Sequence, residues 1–183
     1  SLDRRQRQMC IRDRIFCGGF YELGSRRFHC WLKGGHGKLA LQEAIQKSCD
    51  VYFYELARKV GVKRIGATAR KLGLGQAYNL PLTGLSKGFV PTKKWKKERF
   101  GTSWLVGDTL NVGIGQGFSL ATPLQLAVMT ARLASGKEVA PNIIKNPNKN
   151  TDNLKALSIK DNTLVAIRKG MFKYYNGTFM YYK

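Results

Sequence analysis

The sequence predicts a globular domain built mainly from helices, with short extended segments between them. Apolar residues make up 43% of the 183 positions, enough to bury a core, which excludes a disordered or collagen-like chain. In several stretches the apolar positions recur at three- to four-residue spacing, which is typical of helices with one face against a core. No apolar run approaches the length of a membrane span.

Three helices are predicted in the first half of the chain. The first begins near Leu39 and is interrupted by the polar tetrapeptide Lys47-Ser48-Cys49-Asp50. A second follows over about 51–60 and stops at Gly61, and a third covers 62–72. Ser48 or Asp50 could serve as the N-cap of the second helix.

The clearest helix signal begins at Thr122. Thr122 as N-cap, Pro123 in the first turn and Gln125 three residues after the cap form a capping box, and Gly136 ends the helix. Another amphipathic helix lies within 154–171.

The other segments lack a clear period. Glycine-rich residues 16–37 are interpreted as irregular and turn-rich, 73–121 as turns with short extended pieces, 138–144 as a short extended segment and 145–153 as a loop. Residues 1–14 contain five arginines and resemble either translated adapter sequence or a disordered basic arm. The domain is therefore assigned to residues 15–183.

The net charge of +21 favours a polyanionic partner without identifying it. The basic run Lys93-Lys94-Trp95-Lys96-Lys97 could bind nucleic acid, but a solvated loop is the preferred interpretation, and no nucleic-acid partner is expected. Glycines 113, 115 and 117 do not have the spacing of a dinucleotide loop, and the next helix begins too far away to hold a phosphate. We therefore assign them a structural role.

Ser48 and Asp50 place a hydroxyl and a carboxylate two residues apart at a turn between helices. Such a hydroxyl can relay a proton, and the carboxylate can orient a lysine or a substrate amide. The alternative is a purely structural role, in which one of the two side chains only caps the second helix.

Three segments, taken in order, carry a resemblance to a known family. They are GGHGKLALQEAIQKSCDVYFYELARKVG, the turns GLG and TGL, and PTKKWKKERFG followed by GDTLNVGIGQGFSLATPLQLAVMTARLA. Together they resemble the transpeptidase domain of the penicillin-binding protein 2 family, the class B enzymes of cell elongation, over about residues 16–171. Ser48-Cys49-Asp50 matches the second motif of this family in its S-x-D form.

This resemblance implies an α+β fold of the serine penicillin-recognising type, of which this chain is mostly the α-helical part with little of the central sheet. It implies a peptidoglycan D,D-transpeptidase that cross-links stem peptides through an acyl-enzyme and is the target of β-lactams. Ser48 and Asp50 are the expected catalytic residues, and no cofactor is required. Expected partners are a polytopic glycosyltransferase and scaffold proteins of the bacterial inner membrane, with the catalytic domain periplasmic.

The family's S-x-x-K and K-T-G motifs are not found in a suitable context in this sequence. The chain is therefore expected to be a domain truncated at both ends, and inactive by itself. Two alternatives remain open: a D,D-carboxypeptidase or β-lactamase-like hydrolase, and a basic binding module without enzymatic activity.

A zinc site is a further alternative in the glycine-rich segment. Cys17, His29, Cys30 and His36 have suitable side chains, but their spacing is nonstandard, and polar residues satisfied within a turn are the preferred interpretation. Cys49 is expected to be a packed small hydrophobe.

Overall fold

The computed structural model describes residues 14–143 and 153–180, with side chains up to residue 176. The described strands are β1 (Ile15–Cys17), β2 (Phe20–Leu23), β3 (Arg26–His29) and β4 (Gly37–Leu39). The described helices are α1 (Leu41–Gln46), α2 (Asp50–Val60), α3 (Val62–Lys71), α4 (Lys93–Phe100), α5 (Val106–Gly113), α6 (Pro123–Ser135) and α7 (Asp161–Met180). The domain is thus rich in helices with a small amount of sheet, as expected.

The strands form two antiparallel pairs before the first helix. Strands β1 and β4 pair with Ile15 opposite Leu39, and β2 and β3 form a hairpin with Leu23 opposite Arg26. The interpretation of residues 16–37 as irregular is therefore wrong in part. Each strand has only three or four residues, too few to show an alternating pattern.

Helix α2 lies at the centre of a hydrophobic core. Its buried residues Tyr52 and Tyr54 pack with Leu39 of β4 and Leu110 of α5. Helix α5 approaches α2 closely at Gly113, where a Cβ atom would lie 2.3 Å from the Cβ of Ala57. Glycine is required at that position because any side chain would force the two helices apart.

The segment 73–121 contains two helices that the sequence did not reveal, α4 and α5. Helix α4 includes the whole basic run, and Trp95 packs into an aromatic cluster with Phe89 and Phe118. Lys96 is buried and forms an ion pair with Asp108 of α5 at 2.5 Å. The run is therefore a helix and not a loop, although Lys93, Lys94 and Lys97 are exposed to solvent as expected.

The predicted boundaries of helix α6 are confirmed. The Thr122 hydroxyl accepts from the N–H of Gln125 at 3.2 Å, and Gly136 ends the helix in the left-handed conformation. Helix α7 begins within the predicted range and continues past it to Met180. Residues 138–143 form no strand; the neighbouring Lys137 makes an isolated bridge to Ala156, and most of the predicted loop 145–153 lies outside the described residues.

Gln125 connects α6 to the long loop that precedes α4. Its side chain is fully buried, and its amide donates at 2.8 Å to the carbonyl oxygens of Gln76 and Lys87. Gln125→Leu keeps a similar volume but leaves both carbonyls without this donor, so we expect it to destabilise the domain by about 3 kcal/mol.

Thermal unfolding checks this expectation. A loss of that size lowers the melting temperature by roughly 6–12 °C in a domain of this size. The control Leu126→Gln changes an exposed neighbour on the same helix and should shift the free energy of unfolding by only about 0.5 kcal/mol. Equal melting temperatures for Gln125→Leu and the unmodified chain would contradict this account of the loop.

No helix among the described residues is both long enough and apolar enough to cross a membrane.

Candidate active site

The tetrapeptide Lys47 to Asp50 forms a sharp turn between α1 and α2, as the polar interruption predicted. Ser48 has φ of +50°, and among the described residues it alone has a positive φ without being glycine. Its N–H donates to Ile45, and that of Cys49 donates to Ala44, which closes the end of α1. A non-glycine residue in this conformation costs on the order of 1 kcal/mol and is often found at functional sites.

The helix-cap alternative for this turn is wrong. Cys49 occupies the N-cap position of α2 and makes no side-chain cap, while Asp50 is the first residue of the helix. The Ser48 side chain is exposed. Its hydroxyl is therefore free of a capping role and accessible from outside.

Asp50 is held by a residue that the sequence did not single out. One carboxylate oxygen of Asp50 accepts from the backbone N–H of Trp31 at 2.9 Å, and the Trp31 indole N–H donates to the carbonyl of Lys47 at 3.0 Å. The Trp31 ring is 63% exposed. Trp31 therefore fastens the loop after β3 to both ends of the turn.

A cluster of metal-ligating side chains lies directly behind the turn. The three thiol sulfurs and one imidazole nitrogen of this cluster lie within 4.8 Å of one another, and the residues are Cys17, Cys30, His36 and Cys49. We call this set the Cys₃His cluster. Its members come from β1, the loop after β3, the loop before β4, and the N-cap of α2, so tertiary structure assembles what sequence spacing does not show.

The geometry of the Cys₃His cluster fits a tetrahedral zinc ion. The Nδ1 atom of His36 lies 3.6 Å from the Cys17 sulfur and 3.5 Å from the Cys30 sulfur. Typical Zn–S and Zn–N bond lengths place two ligands of a tetrahedral site about 3.6 Å apart. Three thiolates and one imidazole are also a ligand set that zinc prefers.

Burial and hydrogen bonding set the protonation of the cluster thiols. Burial alone would raise the pKa of Cys17, but hydrogen bonds from the backbone N–H groups of His36 and Gly19 and from the Cys49 and Cys30 thiols together leave the pKa lowered. Burial raises the pKa of Cys49 and lowers that of His36. His36 is therefore neutral, as a metal-binding imidazole must be.

The cluster differs from the residue set suggested by the sequence. His29 is exposed, its ring lies 6.5 Å from that of Phe20, and it takes no part in the cluster. Cys49, expected to be a packed hydrophobe, is fully buried and is the fourth residue of the cluster with an atom that could bind a metal. Its place inside the S-x-D motif links the Cys₃His cluster covalently to Ser48 and Asp50.

Comparison with known proteins identifies the family to which the chain belongs. The profile of the penicillin-binding protein transpeptidase domain matches residues 8–179. The chain belongs to the penicillin-binding protein transpeptidase family. This family membership confirms the α+β fold of the serine penicillin-recognising type that was expected from the sequence.

Individual relatives include curated peptidoglycan D,D-transpeptidases and solved structures of PBP2. The chain is 38% identical over 134 residues to the peptidoglycan D,D-transpeptidase MrdA of Haemophilus influenzae, which covers 72% of this chain and 21% of that protein. The solved complex of PBP2 and MreC from Helicobacter pylori matches with a TM-score of 0.81 and 36% identity, over 89% of this chain and 31% of that chain.

A third match is a structure that describes the coordination of polymerization and crosslinking by a peptidoglycan synthase complex. It has a TM-score of 0.77 and 30% identity, over 88% of this chain and 28% of that chain. The chain thus spans about a fifth of the length of the curated relative and about a third of the solved ones.

Proposed function

We propose that this chain is the S-x-D region of a peptidoglycan D,D-transpeptidase that acts in cell elongation. A serine outside the chain attacks the penultimate D-Ala carbonyl of a stem peptide and forms an ester, and the terminal D-Ala leaves as the amine. An amine of a neighbouring strand then attacks the ester, forms the cross-link amide and releases the serine. A β-lactam acylates the same serine.

Within this reaction Ser48 and Asp50 have different roles. The exposed Ser48 hydroxyl relays a proton between the attacking or leaving group and the catalytic serine. Asp50 positions the motif. Its carboxylate accepts a hydrogen bond from the Trp31 N–H, and Asp50 is also the first residue of α2. The observation that carries the proposal is the exposed hydroxyl in a left-handed turn, held from behind by Asp50 and Trp31 in a domain of this family.

We further propose that the Cys₃His cluster binds zinc. In this ligand set Cys49 replaces His29, which the sequence had suggested. Zinc bound by four protein ligands has no open position, so it stabilises structure and takes no direct part in the reaction. Cys49 would then fix the backbone between Ser48 and Asp50. Cys17, Cys30 and His36 would hold the strands and the Trp31 loop against the same point.

The proposed setting is the bacterial envelope. MreC in the Helicobacter pylori complex and the peptidoglycan synthase complex in the third match support a scaffold protein and a glycosyltransferase as partners. We place the catalytic domain on the periplasmic face of the inner membrane, with the anchor in a part of the protein outside this chain.

A penicillin-labelling experiment tests the proposed function. The full-length protein that contains this chain should form one covalent adduct with a fluorescent penicillin and release D-Ala from a pentapeptide. Preincubation with unlabelled penicillin should abolish both signals. The 183-residue chain alone should form no adduct, since its serines lack the S-x-x-K context. An adduct on this chain, or none on the full-length protein, would contradict the proposal.

A further inference from the structure

A small basic pocket lies between helices α3 and α4, in a part of the domain that the proposed reaction does not use. Lys63 and Arg70 of α3 line one side, and Lys93 and Lys94 of α4 line the other. The pocket has a volume of about 260 Å³, and no acidic residue lines it. Four cationic side chains therefore face one concave space.

These cations are poorly neutralised by the protein itself. Lys94 has one carboxylate nearby, that of Glu98 at 3.7 Å, and both side chains are exposed, so this pair contributes little. Arg70 donates to the neutral carbonyl of Val90 at 3.2 Å. Among the residues that the structure describes, no carboxylate lies within ion-pair distance of Lys63 or Lys93. The pocket thus keeps most of its positive potential.

The shape of the pocket also suits a compact anion. Buried Pro91 and Val62 contribute to its lining, together with Thr92, whose hydroxyl accepts a hydrogen bond from the Trp95 N–H. Gly66 keeps the wall open beside Arg70, since a Cβ there would lie 3.3 Å from the guanidinium. In addition, α4 begins with two lysines at the end of the helix where cations are destabilising, and a bound anion would offset this repulsion.

We propose that this pocket, the α3–α4 basic pocket, binds a phosphate ester group. A phosphate carries up to two negative charges and several acceptor oxygens, which matches an arginine and three lysines better than a single carboxylate does. The volume leaves space for the ester substituent beside the phosphate. The group could belong to a soluble phosphate ester or to a phospholipid headgroup, and the chemistry recognised is the same. This inference does not depend on the proposed transpeptidase activity.

Binding of two probes to the 183-residue chain tests the inference. Isothermal titration with glycerol 3-phosphate measures the soluble ester, and co-sedimentation with phosphatidylcholine vesicles, with and without phosphatidylglycerol, measures the headgroup. The pocket variant Lys63→Glu/Lys93→Glu should weaken binding at least about tenfold, because two attractive charges become repulsive at close range.

A matched control separates the pocket from the overall charge. Arg64→Glu/Arg99→Glu reverses two exposed cations on the same two helices, outside the pocket, and changes the net charge equally. We expect the control to weaken binding less than about threefold, because more distant exposed charges are screened. If the pocket variant unfolds, Lys63→Gln/Lys93→Gln replaces it.

The outcomes are distinct. Loss in the pocket variant with retention in the control supports the inference, and the probe that binds identifies the source as soluble ester or headgroup. Equal losses in both variants would show that binding follows total charge and would overturn it. Absence of binding to glycerol 3-phosphate and to phosphatidylglycerol vesicles would also overturn it. Neither result bears on penicillin labelling.

Discussion

Chelation of zinc from the 183-residue chain is expected to lower its melting temperature by roughly 10 °C, since the proposed ion holds four separate segments together. The Cys₃His cluster joins strand β1, two loops and the start of α2 at one point. Without the ion, three buried thiols and a half-buried imidazole remain with only weak contacts to one another. The measurement is thermal unfolding with and without a chelator, together with metal content.

Two variants and a control make the zinc prediction specific. Cys49→Ser and His36→Ala should lose most of the bound zinc, and their melting temperatures should no longer respond to the chelator. His29→Ala removes an exposed imidazole of the same segment and should keep both zinc and the chelator response. A chain that takes up no zinc, or a chelator response that persists in Cys49→Ser, would contradict the assignment of these ligands.

Replacement of Asp50 in the full-length protein is expected to slow acylation by a β-lactam. Asp50→Ala removes the acceptor of the Trp31 N–H and should cost about ten- to a hundredfold in the second-order rate, as for a supporting group of a catalytic unit. Asp50→Asn should cost less, because its amide oxygen can still accept this hydrogen bond. Both variants should keep the fold.

The comparison of rate with stability decides the role of Asp50. We expect the acylation rate to fall more steeply than the melting temperature, because Asp50 fastens the turn that presents Ser48. If Asp50→Ala acylates at the unmodified rate but melts well below the unmodified protein, Asp50 serves only stability and its part in the reaction is wrong.

Local signals in the sequence were sufficient for several helix boundaries. The capping box at Thr122, the left-handed Gly136 and the stop at Gly61 all depend on residues that lie within a few positions of one another. The break at Lys47 to Asp50 was also visible, because a polar tetrapeptide interrupts an apolar face. Such features require no knowledge of the tertiary structure.

The missed elements depend on distant partners. Helix α4 shows no amphipathic pattern because its one buried residue is Lys96, whose partner Asp108 lies on another helix. A lysine in a basic run gives no sign that it will be buried. Strand β1 is likewise defined by pairing with β4, at least 20 positions later in the chain.

In the candidate site, too, some features are visible in the local sequence and others depend on distant residues. Ser48 and Asp50 form a recognisable motif within three residues, but the hydrogen bond from the Trp31 N–H to the Asp50 carboxylate joins residues 19 positions apart. Cys49 belongs to the Cys₃His cluster through tertiary structure, 13 positions from its nearest partner, His36. No spacing rule for zinc ligands would have chosen Cys49 over His29.

The central claim is that the Ser48 hydroxyl takes part in acylation, and substitution of this residue in the full-length protein tests it most directly. Ser48→Ala removes the hydroxyl but keeps a side chain in the left-handed conformation, whereas Ser48→Gly removes the hydroxyl and relieves the backbone strain. The measurement is the second-order acylation rate with a fluorescent penicillin, with melting temperature as control. We expect both variants to be slower by about 10²–10⁴-fold, with Ser48→Gly at least as stable as the unmodified protein. Acylation of Ser48→Gly at the unmodified rate would show that only the turn matters and would contradict the claim.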